Sequence, residues 1–204
     1  MKKAYLLSIH KQLILYLVIV LAFCFIYSGC SSRTEYIRPT SLNNPPPKYA
    51  FSSYDTFIAE PIVISEEFRG HQANVNAAAR VQQNLDNDLK PLLRSWNKAS
   101  QNSEPKTLVI RPRIESIKFI RSSVRLWVGA FAGSSGIHMR VAMVDQKTGE
   151  VVANPEFYQH ANALAGDFSG GLTDYAMLNR ISNLIVQYMR DNYNNMVGGK
   201  TGAE

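Results

Sequence analysis

Cysteine is scarce in this sequence. Only Cys24 and Cys30 occur among its 204 residues, and no cysteine follows residue 30. A domain formed by the residues beyond Cys30 therefore contains no disulfide bond, and its stability must come from its hydrophobic core. The same absence excludes a thiolate nucleophile and a cysteine-ligated metal site from that domain.

Runs of like charge are also missing, and the net charge is modest. The sequence has 22 Lys and Arg, 16 Asp and Glu, and a formal charge of +6. Residues 1–29 hold three of these cations and no acid, so the remainder carries only +3. A charge this small, without basic clusters, predicts that nucleic acid is not a partner.

Few side chains are suited to metal or phosphate chemistry. His71, His138 and His160 are the only histidines beyond residue 30, and none lies four residues from another. We therefore predict no metal site, with His138 and His160 exposed on strands. Gly199–Lys200–Thr201 lacks the earlier glycine and the following helix of a phosphate-binding loop, so we predict no nucleotide cofactor.

The N-terminus holds the most informative pattern. Three lysines within the first eleven residues precede an unbroken apolar run over residues 13–27, and Ser28 and Gly29 then lead to Cys30. A bilayer-spanning helix needs roughly 20 residues, whereas the core of an export signal needs about 7 to 15. The pattern favours an export signal, with an uncleaved membrane anchor or ordinary cleavage after Cys30 as alternatives.

This order of residues resembles the lipobox of bacterial lipoproteins, although Tyr27 stands where leucine is usual. The resemblance implies removal of residues 1–29 and attachment of a diacylglycerol and a further acyl chain to Cys30. Several acyl chains give stable anchoring where one does not. Ser31 and Ser32 replace the Asp that retains such proteins in the inner membrane, which implies the periplasmic face of the outer membrane.

Composition divides the remaining chain into three parts. Residues 30–50 are rich in proline and poor in apolar residues, which predicts an extended tether. Residues 51–195 have the length of a single domain. The glycine-rich residues 196–204 read as a flexible tail.

Hydrophobic periodicity predicts the elements of that domain. Thr56–Ile64 is rich in β-branched residues and reads as a strand, with Pro61 marking an edge or a bulge. Residues 73–96 carry an apolar stripe at helical spacing, and Pro91 should kink this helix or break its last turn. Residues 108–119 alternate as a strand whose phase shifts near Glu115–Ser116, which predicts a bulge there.

A β-hairpin and a closing helix complete the pattern. A three-residue loop ending at a left-handed Gly149 would set Met139 opposite Phe157 and Arg140 opposite Glu156. Thr173 or Asp174 would cap a last helix over residues 175–193. The order β–α–β–(β)–β–β–α predicts an α+β fold: a mostly antiparallel sheet with two main helices packed on one face.

Two segments were considered as sites. Ser134, in the loop Ala132–Gly136, is flanked by small residues, but a nucleophile elbow lies between a strand and a helix, and this loop precedes a strand. We therefore assign no catalytic residue. Residues 124–131 are strongly apolar and are either a core strand or an exposed contact surface.

Taken with the lipobox, residues 54–193 resemble bacterial lipoproteins grouped as a family of unknown function, distantly similar to envelope-assembly lipoproteins. The opening strand, residues 125–136, the Asp145–Gly149 turn and the closing helix carry the resemblance. It implies a non-enzymatic module, anchored at Cys30, that binds another envelope protein.

The sequence leaves two alternatives of other classes open. One is a periplasmic hydrolase, for which Ser134, His138, His160 and Asp167 are the residues to substitute. The other is a protein that binds peptidoglycan or another glycan. The partner and the oligomeric state are not predicted.

Overall fold

A mixed sheet with two helices on one face forms the part of the chain that the computed structural model describes, residues 39, 41–97, 104–120, 134–161 and 172–203. The strands are β1 Asn43–Asn44, β2 Thr56–Ala59, β3 Val63–Ile64, β4 Thr107–Lys118, β5 Gly136–Asp145, β6 Val151–Ala153, β7 Glu156–His160 and β8 Gly199–Lys200. The helices are α1 Glu66–Arg69, α2 Gln72–Asn97 and α3 Leu172–Asp191, with a 3₁₀ turn at Phe51–Ser53.

The larger sheet has six strands, with β4 and β5 at its centre. β5 runs antiparallel to β4, and β6 and β7 run antiparallel to β5. β2 and β3 run parallel to β4, because the long helix α2 returns the chain to the same end of the sheet. The predicted α+β class, with a mostly antiparallel sheet and two main helices on one face, is confirmed.

Helix α2 has the predicted stripe. Val81, Leu85 and Leu89 are buried in the core that the helix shares with the sheet and α3. Pro91 lies inside the helix, which continues to Asn97. The predicted break of the last turn is therefore wrong. The core contacts of Leu93 and Trp96 beyond the proline hold that turn in place.

Helix α3 also buries its predicted stripe. Leu178, Ile181 and Ile185 are fully buried in the same core. The helix begins at Leu172, so Asp174 stands in its first turn and does not cap it. The prediction that Thr173 or Asp174 caps the helix is therefore wrong, because the helix begins before both residues. Helix ends are commonly uncertain by one or two residues.

The hairpin has the predicted register but a different loop. Met139 pairs with Phe157, Arg140 pairs with Glu156, and Gly149 has a φ of 73°. The Asp145 N–H donates to the Glu150 carbonyl at 2.9 Å, so the loop has four residues instead of three. A register shift between β5 and β6 then restores the alignment, because one inserted residue reverses the faces of a strand.

The chain segments at both ends of the domain differ from prediction. β1 pairs with β8 in a two-stranded ribbon, so residues 41–50 and 196–203 are part of the fold rather than a tether and a frayed tail. The Asn44 amide exchanges two hydrogen bonds of 2.7 Å with the Glu156 backbone. Asn44 and Glu156 are 112 residues apart in the chain, so the composition of residues 41–50 alone could not predict this contact.

Within the described residues, no helix combines the length and the apolar character needed to cross a membrane.

Candidate functional site

An interruption in one edge of the sheet creates a groove. The carbonyls of Ile110 and Ile114 face β2 and β3, because they accept hydrogen bonds from Glu60 and Ser65. Pro112 lies between them and faces the same way, but proline has no N–H to donate. At this point the neighbouring strand leaves the sheet, so that residues 60–62 lie opposite only two residues of β4.

The first predicted strand is thus two strands. Pro61 stands in the interruption, and β2 and β3 both lie at the edge of the sheet, as proline there predicts. The Ile62 N–H, turned away from the ladder, donates to Gln82 of α2 at 2.8 Å. Pro61 and Pro112 are both visible in the sequence and both disfavour regular strand pairing. The sequence does not show that they lie close together, because that depends on the parallel pairing of β2 and β3 with β4.

The groove lies on the sheet face opposite the helices and has a volume of about 390 Å³. Half of its ten lining residues are charged, and Ala142 among the others has a small side chain. The lining residues are Glu60, Pro61, Val63, Arg111, Pro112, Arg113, Glu115, Arg140, Ala142 and Asn154. Pockets of this volume accommodate small ligands or a few residues of a peptide.

Each arginine of the groove has a carboxylate partner. Arg111 Nε lies 3.1 Å from Glu60, and Arg140 Nη2 lies 2.6 Å from Glu156. Arg113 lies directly opposite Arg140 in the strand register, and its Nε is 3.5 Å from Glu115. Like charges opposite each other are unfavourable, so these carboxylates offset the repulsion between the two guanidinium groups.

The groove is lined by charged groups that form ion pairs with one another and with neighbouring residues. Its charged lining residues are three arginines together with Glu60 and Glu115, and both carboxylates are ion-paired. The side chains of Arg111 and Arg113 remain about half exposed, and each guanidinium has further N–H donors that suit planar acceptors such as carboxylates. Ion pairs that are this exposed contribute little to stability, which leaves them available for contacts with a ligand.

His138 adjoins this surface and is buried, contrary to the predicted exposure. Because β5 is a central strand, the ring lies between Ser116 of β4 and Tyr158 of β7, and it is only 1% exposed. Its Nε2 lies 3.3 Å from the Glu156 carboxylate, while Nδ1 has no partner. Burial lowers the pKa of His138, although Glu156 acts in the opposite direction.

The other residues considered from sequence do not assemble into a site. His160 pairs with Gly136, so it lies at the same end of the sheet as Ser134. Asp167 lies outside the described residues, as do Cys30 and residues 124–131. Among the residues that are described, no group of three His, Asp or Glu side chains is placed to hold a metal ion.

The groove itself was missed at the sequence level. The alternation of Arg111 and Arg113 along one strand and the pairing of Arg140 with Glu156 are both readable from the pattern. What the pattern lacks is the adjacency of β4 and β5, which sets Arg113 opposite Arg140.

Comparisons with known proteins give similarity of shape at low identity. No model of a known protein family matches the chain, and no curated protein matches it in sequence. A PelC dodecamer from Paraburkholderia phytofirmans is 13% identical with a TM-score of 0.35, covering 68% of this chain and 91% of that one. The hypothetical protein CT253 from Chlamydia trachomatis is 12% identical with a TM-score of 0.36, covering 67% and 99%.

A candidate lipoprotein from Caulobacter crescentus is also similar, with 15% identity, a TM-score of 0.31, and coverage of 70% of this chain and 91% of that one. At these scores and identities the similarity assigns neither a family nor a function.

Proposed function

We propose that this protein is an outer-membrane lipoprotein, anchored through Cys30 on the periplasmic face, whose domain binds another envelope protein without catalysing a reaction. The observation that carries the anchor is the order of basic, apolar and small residues that ends at Cys30. Three acyl chains at that cysteine hold the protein on its leaflet, because each buries many methylene groups.

The groove between β3, β4 and β5 is the proposed contact for the partner. Its guanidinium and carboxylate groups can pair with polar side chains and backbone of a protein segment, while Pro61, Val63, Pro112 and Ala142 can contact its apolar parts. Ala142 pairs with Arg111 and lies two residues from Arg140, so a partner's side chain can occupy the space above its small side chain. This combination of a shallow pocket and a polar rim is typical of protein interfaces.

The anchor is tested by the Cys30→Ala variant. We expect a larger, uncleaved protein that takes up no fatty acid, because both processing and acylation require the thiol. The measurement is metabolic labelling with a fatty acid, together with the intact mass of the protein isolated from membranes. A mature protein of normal size in this variant contradicts the proposal.

The groove is tested by filling it. In-cell cross-linking of the lipidated protein should recover one envelope protein in near-equal amount, and Ala142→Phe should abolish that recovery. Val151→Phe is the matched control, because Val151 is 45% exposed and does not line the groove. Unchanged recovery with Ala142→Phe contradicts the groove as the contact. Retention on isolated peptidoglycan, lost in the same variant, would identify a glycan ligand in its place.

A further inference from the structure

Exposed apolar side chains concentrate at one place on the molecule, the ribbon of β1 and β8 with its flanking residues. In the described part of the chain, eight large apolar residues are strongly exposed, and three of them lie within three residues of the paired strands β1 and β8. Leu42 is 64% exposed, Met196 52% and Val197 65%. Single exposed apolar residues are normal on protein surfaces, but three of them flanking one small ribbon indicate a contact surface.

The backbone holds these side chains in their exposed positions. The Leu42 carbonyl accepts a hydrogen bond of 2.9 Å from the Thr201 N–H. Fully buried Asn192 accepts hydrogen bonds of 2.9 and 2.8 Å from the N–H groups of Val197 and Gly198. Because both segments are fixed to the domain in this way, Leu42 and Val197 cannot turn into the core to escape water.

The two segments that form the ribbon carry cations and no acids of their own. Residues 41–50 and 196–203 contain no Asp or Glu, and their two cations are Lys48 and Lys200. Lys48 pairs with Glu150 at 2.9 Å, whereas Lys200 is exposed on the ribbon opposite Asn43. A cation between apolar side chains suits a surface of phosphate headgroups above acyl chains.

The length of the chain brings this ribbon to a membrane. Ten residues separate Cys30 from Ser41, the first residue of the continuously described segment 41–97. A chain of that length spans at most about 40 Å even when fully extended. The ribbon is therefore the part of the domain most closely tied by the chain to the proposed lipid anchor.

We propose that the β1–β8 ribbon is a membrane-docking surface, with Leu42, Met196 and Val197 entering the leaflet that holds the anchor and Lys200 contacting its phosphates. This proposal rests on the lipid anchor at Cys30. The apolar side chains enter to the depth of the headgroup and acyl boundary, as in proteins that lie on a membrane rather than span it. The domain is thereby oriented, with the ribbon towards the lipid.

The experiment uses the full-length lipidated protein, reconstituted into vesicles of phosphatidylethanolamine and phosphatidylglycerol. A single cysteine is introduced by Leu42→Cys or Val197→Cys and labelled with an environment-sensitive fluorophore. It is the only free thiol, because the mature chain has no other cysteine than the acylated Cys30. Ile58→Cys is the control, since Ile58 is 43% exposed but lies on the edge strand β2.

We expect the emission of labels at positions 42 and 197 to shift to the blue on vesicles and to be quenched by doxyl-labelled lipids, while the label at position 58 is unchanged. Lys200→Glu should reduce this quenching at position 42. Circular dichroism of each labelled variant establishes that it is folded.

The remaining outcomes contradict the proposal in distinguishable ways. Water-like emission at positions 42 and 197, with lipid on Cys30 shown by mass spectrometry, overturns the docking surface and leaves the anchor intact. Absence of lipid on Cys30 overturns both. A blue shift that persists in detergent and resists doxyl lipids indicates contact with a second copy of the chain, which overturns the membrane as the occupant.

Discussion

At the scale of single residues, His138 is the group most at odds with its surroundings. Its ring is buried in the centre of the sheet, one ring nitrogen has no partner, and the other contacts Glu156. Ser116, opposite it in β4, also has a buried hydroxyl without a partner. Two such atoms at paired positions are unusual, because buried polar groups are nearly always hydrogen-bonded.

The pH dependence of stability should report on His138. Its pKa is lowered first by burial, while Glu156 and Glu115 raise it and Arg140 lowers it further. An unfolded histidine has a pKa of about 6.5, so below that pH the unfolded chain binds a proton that the folded state does not. Stability is thus complete above about pH 6.5 and decreases as the pH falls.

Urea unfolding between pH 5 and pH 8, measured for the wild type and His138→Gln, checks this expectation. The wild type should lose stability on acidification with a slope of at most one proton, about 1.4 kcal/mol per pH unit. His138→Gln should flatten the profile, and the exposed His71→Gln should not. An equal slope in the wild type and His138→Gln would contradict the assignment.

At the scale of elements, two asparagine side chains protect the edges of the sheet. The Asn97 amide accepts from the Phe57 N–H at 2.8 Å and donates to the Phe57 carbonyl at 3.1 Å, as a neighbouring strand would. Asn44 forms the same pair of bonds with Glu156 on the opposite edge. Unpaired N–H and C=O groups on an edge strand can pair with a strand of another chain. Because the two amides bond these groups, they disfavour such pairing between molecules.

Asn97→Ala should therefore destabilise the domain and promote its association. We expect a loss of about 1–3 kcal/mol, because two backbone groups of β2 lose their partner. Urea unfolding measures the loss, and light scattering measures the association. Asn87→Ala, at an exposed position of the same helix, is the control. Equal behaviour of the two variants would mean that Asn97 does not protect the edge.

The hairpin loop depends on one left-handed residue. Gly149 has a φ of 73° with open space around its Cα, so a side chain there meets conformational strain and no clash. Gly149→Ala should cost about 1–2 kcal/mol of unfolding free energy. Gly70 also has open space but a φ of −64°. Gly70→Ala should therefore cost nothing, and thermal unfolding of both variants provides the comparison.

At the scale of the whole molecule, stability comes from a single core without cross-links. The sheet, α2 and α3 share one cluster of buried apolar side chains. Since no cysteine follows residue 30, reducing agents should leave the melting temperature of the lipidated protein unchanged. A lower melting temperature in dithiothreitol would reveal a disulfide through Cys30 and so contradict acylation of its sulfur, because a thioether is not reducible.

Local sequence patterns predicted the structure correctly where the burial of a residue depends only on the helix or strand that contains it. The stripe of α2, the bulge after Ile114 and the pairing of Met139 with Phe157 were all predicted correctly. The hairpin register survived an incorrect loop length because burial of alternate residues determines the register more strongly than the turn does.

The sequence by itself determined the α+β class, the core faces of its helices and strands, the absence of cross-links and the candidate anchor at Cys30, since these depend on composition and on periods of a few residues. Only the tertiary structure decided the burial of His138, the groove beside Pro112 and the ribbon of β1 with β8. Each of these depends on which strands become neighbours, and strand adjacency is set by contacts between residues far apart in the chain.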